Sequence, residues 1–135
     1  MTMSTTIKFA SKPENILIAE KFIEDIRAVV NIRDSVYEDI MVAFTEAANN
    51  AMIHGNQDNA ERHVEICCKL DERGELLSLI VKDEGKGFDF DKIPDPTTEE
   101  IIKRVNGRGV FLMKELSHAV FFSNRGATVD LLFSL

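Results

Sequence analysis

Tryptophan is absent from this sequence, tyrosine occurs once, and its 135 residues include only two cysteines and three prolines. The cysteines, Cys67 and Cys68, are neighbours, and adjacent residues cannot close an ordinary disulfide without distortion. With no disulfide framework, the expected compartment is the reducing cytoplasm. Nor do His63 and the cysteine pair have the ligand spacing of a zinc site. Positive charge is scarce: 16 Lys and Arg stand against 23 Asp and Glu, a net charge of −7. A sequence-independent nucleic-acid binder needs a basic face to displace counterions. Direct nucleic-acid binding is therefore not expected, and neither is docking on anionic lipid. No apolar run is long enough to span a membrane, and the N-terminus lacks the apolar core of a signal peptide. Neither a P-loop pattern nor a G-x-G-x-x-G after a strand occurs, which excludes the first type of nucleotide site and leaves a Rossmann site unsupported.

What is present is ordinary for a globular chain: 44% hydrophobic and 29% charged residues, in a length that suits a single domain over residues 1–135. No repeat and no linker composition divides it. Ser4 to Ala10 reads as an edge strand. Ser11 and Glu14 form a capping box before Ile16, Ala19, Ile23, Ile26 and Val30, whose spacing predicts an amphipathic helix of about twenty residues. Ser35 and Glu38 repeat the signal before a second helix, with a buried stripe of Ile40, Phe44, Ala47 and Ala51 and a stop at Gly55. Val64, Ile66, Cys68 and Leu70 alternate with polar residues, as in a half-buried strand. A turn at Asp71–Gly74 leads into a second strand, Leu76 to Lys82. After a polar stretch with a short candidate helix at Thr97 to Arg104 come a helix from Val110 to Leu116 and strands Ala119–Ser123 and Thr128–Phe133. The order predicts an α/β (α+β) two-layer sandwich, a mixed, mostly antiparallel sheet with helices on one face.

Three local features carry chemistry. Glu46 and Asn50 lie one turn apart on the second helix, so a carboxylate and an amide oxygen share a face. Such a pair suits a water and a Mg²⁺ ion, although taken alone it reads more readily as a solvated helix face. Asp83-Glu84-Gly85-Lys86-Gly87 follows the buried strand. Its glycines let backbone approach a flat ligand, and its Asp suits an exocyclic amine; a plain turn is the simpler alternative. Gly107-Arg108-Gly109 opens a helix whose free N–H groups and dipole favour a polyphosphate. Two glycines that merely join loop to helix would look the same. His54, at a helix end, reads as a packing or capping residue.

Together and in this order, the three features resemble the N, G1 and G2 boxes of the histidine-kinase-like (GHKL, Bergerat-fold) ATPase superfamily. The similarity is greatest to the bacterial anti-sigma-factor serine/threonine kinases. It is carried by Glu46-Ala-Ala-Asn-Asn-Ala-Met-Ile-His-Gly55, Asp83-Glu-Gly-Lys-Gly-Phe88 and Gly107-Arg-Gly-Val-Phe-Leu-Met-Lys-Glu-Leu116, and it covers nearly the whole chain. The resemblance implies ATP and Mg²⁺ as cofactors, Glu46 as general base and Asn50 as Mg²⁺ ligand. It implies that Asp83 accepts the adenine amino proton, that Gly85 and Gly87 pass beneath the nucleotide, and that residues 88–106 form an ATP lid. Gly107, Arg108 and Gly109 would contact phosphates, and Thr128 would lie near the adenine. The sequence departs from the family at that last point: Gly-Thr-x-Val is common there, where this chain has Gly126-Ala127-Thr128-Val129. The departure bears on the Thr128 contact and not on the fold.

The function so implied is a cytoplasmic serine/threonine kinase that holds a sigma factor inactive and phosphorylates an anti-sigma-factor antagonist. A homodimer through the N-terminal strand and first helix is the expected assembly. A sensor histidine kinase is less consistent, because no spare helix carries His54, His63 or His118 as phospho-acceptor; a stand-alone catalytic domain of that type is the alternative. A non-catalytic nucleotide-dependent switch would not need Glu46. A structural protein with a vestigial pocket would not need Asn50, Asp83 and both glycine boxes.

Overall fold

The structure, a computed structural model, describes residues 3–85 and 107–135. Strand β1 (Met3–Ala10) leads through a short 3₁₀ turn into helix α1 (Ile16–Val29) and then α2 (Asp34–Asn50), which a π-helical turn extends to Gly55. Strands β2 (His63–Leu70) and β3 (Leu76–Lys82) follow as a hairpin. Helix α3 (Gly107–Leu116) precedes a second hairpin, β4 (Ala119–Ser123) and β5 (Thr128–Ser134). The sheet order is β1-β2-β3-β5-β4, and every pairing among the described residues is antiparallel. The expected mixed character is therefore absent from these pairings. The helical hairpin α1–α2 returns the chain to the end it left, so β2 runs against β1. β5 then separates β3 from β4, which run in the same direction.

Strand alternation places two rows on the helix-covered face: Ile7, Ile66, Val81, Val129 and Phe122, and beside them Cys68, Leu79, Leu131 and Val120. Their central members are fully or almost fully buried, against Ile23, Ile26, Ile40, Phe44, Ala47 and Met52 from the helical layer. Helix α2 packs against α1 and α3 and rests on β3 and β5. Burial in this apolar layer also pushes the Cys68 thiol up to about 12, which leaves it an inert packing group. Among the described residues no helix is long and apolar enough to cross a membrane.

Two capping expectations are corrected. Ser11 makes no cap: the 3₁₀ turn is preceded by Lys12 with no side-chain cap bond, and the Ser11 hydroxyl is buried, accepting a hydrogen bond from Asn56 Nδ2 at 2.8 Å. Helix α1 is correspondingly shorter than foreseen. Ser35 lies inside α2, whose N-cap is Arg33, also without a side-chain bond. The competing interaction is Arg27, which pairs with the Asp34 carboxylate, donates to Ile32 O at 3.3 Å and stacks 4.1 Å from the Tyr37 ring centroid. That contact draws Asp34 into the first turn and starts the helix one residue before Ser35. The candidate helix Thr97–Arg104 lies outside the described residues.

Candidate functional site

Alanine at positions 43, 47 and 48 lets α2 lie close on its neighbours, with Phe44 and Ile40 filling the space behind. This leaves Glu46 and Asn50 partly buried, one turn apart on the same helix. The Asn50 Oδ1 atom is buried and has no hydrogen-bond partner among the described residues. A buried amide oxygen left unpaired is costly, and a hard cation is one natural partner for it. Asn50 therefore fits a Mg²⁺ ligand, with Glu46 on the preceding turn.

Beyond Asn50 the helix widens into the π turn Ala51–Gly55, closed by the Asn56 N–H on Ala51 O at 2.8 Å. Single π turns occur often at functional sites. This one sets Gly55 against Asp83. A Cβ on Gly55 would collide with the Asp83 carboxyl, and a Cβ on Gly85 would collide with the Gly55 carbonyl. The three residues thus form one close contact, possible only because two of them have no side chain. Asp83 follows β3, held by its N–H on Ala127 O at 2.8 Å, while its Oδ1 accepts the Gly85 N–H at 2.8 Å. Burial pushes its carboxyl up to about 6, opposed by the Gly85 hydrogen bond and the charge of Arg62. A recessed carboxylate with a free oxygen can accept from an amine that enters the recess.

Gly107, Arg108 and Gly109 form the first turn of α3, where N–H groups have no helical partner. Gly109 and Val110 are buried, and α3 packs along α2, so the glycine-opened turn and the Glu46–Asn50 helix belong to one helical layer. Gly87, Lys86 and the expected lid 88–106 lie outside the described residues. Thr128 is not gathered with the others. The register pairs it with Lys82 and Ser123, so strand alternation puts it on the other sheet face from Asp83. There its hydroxyl accepts from Asn124 Nδ2 at 3.0 Å. The residue beside Asp83 is Ala127, which has no hydroxyl.

Two residues outside the expected site set shape it. Gly55 reads in the sequence as a helix stop and as the end of the first motif, with no contact of its own. Asn56 carried no signal beyond a turn-forming dipeptide with that glycine, yet it is fully buried and bonded on three sides.

The sequence matches the histidine kinase-like ATPase domain over residues 9–133. The chain belongs to that family. The match spans every element from the end of β1 to β5, and with it come the helix of Glu46 and Asn50 and the strand end of Asp83. Such a domain uses ATP, so ATP use is a property of this chain. Among its relatives, the serine-protein kinase RsbW of Bacillus subtilis (strain 168) is 28% identical over 132 residues, covering 91% of this chain and 80% of the relative. RsbW of Oceanobacillus iheyensis is 27% identical over 125 residues, covering 88% and 78%. The anti-sigma F factor of Bacillus thuringiensis (strain Al Hakam) is 35% identical over 99 residues, covering 69% and 66%.

Proposed function

We propose that this protein is an ATP-dependent serine/threonine kinase and anti-sigma factor that works by partner switching in the cytoplasm. It holds a sigma factor inactive and phosphorylates an anti-sigma-factor antagonist. The observation that carries the site is the buried Asn50 Oδ1, unpartnered among the described residues, on the turn that follows Glu46. The names of the relatives support the protein substrate and the partner class.

In this reading Asn50 holds Mg²⁺, which when bound neutralises phosphate charge. Asp83 accepts the adenine amine, with Gly55 and Gly85 keeping the recess open. Gly107, Arg108 and Gly109 meet the phosphates through the N–H groups that open α3. No adenine contact is assigned to Thr128, because its register puts it on the other sheet face from Asp83. Glu46 takes the proton of a serine or threonine hydroxyl as that oxygen bonds to the γ-phosphorus and ADP leaves. Phosphoryl transfer asks chiefly for positioning and charge neutralisation, so one oriented carboxylate is sufficient protein chemistry. Self-association is assigned to β1, an edge strand, together with α1.

Glu46→Gln tests the chemistry. It keeps size and hydrogen-bonding reach but cannot take the proton. Phosphoryl transfer to the antagonist should fall by at least about a hundredfold, while ATP affinity stays within a few-fold of wild type. Near wild-type transfer would reduce Glu46 to a helix-face residue. A wild type that binds ATP yet phosphorylates no antagonist would favour the non-catalytic switch.

A further inference from the structure

The turn that carries Asp83 is held from outside by one buried side chain. Asn56 follows the π turn of α2 and is completely buried. Its Nδ2 donates to the Ser11 hydroxyl at 2.8 Å and to His63 O at 3.0 Å. Its Oδ1 accepts the Glu84 N–H at 2.7 Å, and Glu84 is the residue between Asp83 and Gly85. Glu84 is itself exposed, so the loop has no apolar anchor of its own at that point. Its carboxylate adds a second tie, accepting the His63 N–H at 2.9 Å. Asn56 thus joins four segments: the end of α2, the β1–α1 junction, the first residue of β2 and the Asp83–Gly85 turn. All of its amide capacity but one lone pair is committed to fixing that turn on the helix that carries Asn50 and Glu46.

We infer that Asn56 is a positioning residue for base recognition: through its Oδ1 on the Glu84 amide it sets where the Asp83 carboxylate meets the nucleotide. This rests on the reading of Asp83 as the adenine acceptor. An Asp83 carboxylate in register accepts from the amino group of adenine and opposes the carbonyl oxygen that guanine presents at the same place, so preference for ATP over GTP reports its position. Loosening the Glu84 tie lets the carboxylate drift, which blurs that preference without touching the phosphoryl-transfer groups.

The test measures ATP and GTP affinity, turnover at saturating ATP, and melting temperature for the full chain and four variants. Asn56→Ala should weaken ATP binding and reduce the ATP preference at least tenfold, with turnover at saturation within about threefold of wild type. Asn56→Asp keeps an oxygen for the Glu84 amide and should retain the preference even though it melts earlier. Ser11→Ala removes the opposite partner of Asn56; it should lower the melting temperature and leave the preference within twofold. Asp83→Asn should abolish the preference. If Asp83→Asn abolishes it while Asn56→Ala keeps it, this inference fails and the reading of Asp83 stands. If Asp83→Asn keeps it, that reading fails and takes the inference with it. A measurement on the unaltered protein is independent of how the variants fold. The Glu84 amide should exchange slowly although its residue is exposed, and exchange at the rate of a free loop amide would overturn the assignment.

Discussion

The Asp83 carboxyl gives folding one pH dependence and, as the proposed adenine acceptor, gives binding the opposite one. Its carboxyl titrates at about 6 in the folded chain against an ordinary 3.8. Between those values the folded state keeps a proton that the unfolded chain has lost, so Asp83 makes the protein less stable as pH rises through this window. Binding runs the other way, because the acceptor for an adenine amine is the ionised form. At pH 5 about a tenth of such groups are ionised, so ATP affinity should fall several-fold to about tenfold between pH 7 and pH 5. Titration of ATP itself affects every variant alike, so the comparison is with Asp83→Asn, whose profile should lack the Asp83 component. Superimposable profiles would remove Asp83 from the site. Asp83 stands out in the sequence because a short acidic and glycine motif after an apolar strand is uncommon. Asn56 does not, because its importance lies in partners 7, 28 and 45 positions away, which no local pattern encodes. Thr128 lies apart from Asp83 for a related reason: a one-residue offset in a strand changes the sheet face, and Ala127 is the residue beside Asp83.

Element by element, periodicity carried most of the prediction. Alternating Val64, Ile66 and Cys68 gave β2, and the stripe through Ile40, Phe44, Ala47 and Ala51 gave the inner face of α2, because burial of one face imposes those periods on any sequence. Termini were less legible. Ser11 with Glu14, and Ser35 with Glu38, have the spacing of capping boxes, but tertiary partners took the groups: Asn56 engages Ser11, and Arg27 engages Asp34. The widening of α2 into a π turn left no mark in the pattern either, since the extra backbone residue follows from what Gly55 must touch. That contact gives the element its own prediction. Gly55→Ala adds a methyl where the Asp83 carboxyl lies, and overpacking of this kind costs about 1–3 kcal/mol. Because the displaced group is Asp83, ATP affinity should fall by more than the stability loss alone explains, while Glu46-dependent turnover at saturation changes little. An alanine variant with wild-type melting temperature and affinity would mean that the π turn yields freely, and that Gly55 is only a helix terminator.

For the whole molecule, site and fold are linked by mass action. A ligand that binds only the folded chain stabilises it by about 2.7 kcal/mol at a hundred times its dissociation constant. For a domain of 135 residues, each kcal/mol moves the melting temperature by roughly 3–4 °C, so saturating ATP with Mg²⁺ should raise it by about 10 °C. The chain has no tryptophan, so calorimetry or far-ultraviolet circular dichroism is the appropriate probe. The helical layer that holds Glu46 and Asn50 is also the layer that covers the core, which means the ligand acts on the main cooperative unit and not on a detachable edge. Comparing variants then separates the parts of the site by one measurement. Glu46→Gln should show the full shift, because the base is needed for transfer and not for binding. Asn50→Ala should show a smaller shift that is the same with and without Mg²⁺, because the unpartnered oxygen that fits the metal is gone. The Asn50 Oδ1 has no partner among the described residues, so its removal should cost little stability in the absence of nucleotide. A wild type whose melting temperature does not move at millimolar ATP would contradict nucleotide binding at this site. An Asn50→Ala chain that keeps the full Mg²⁺-dependent shift would instead move the metal to other ligands and leave the nucleotide where it is.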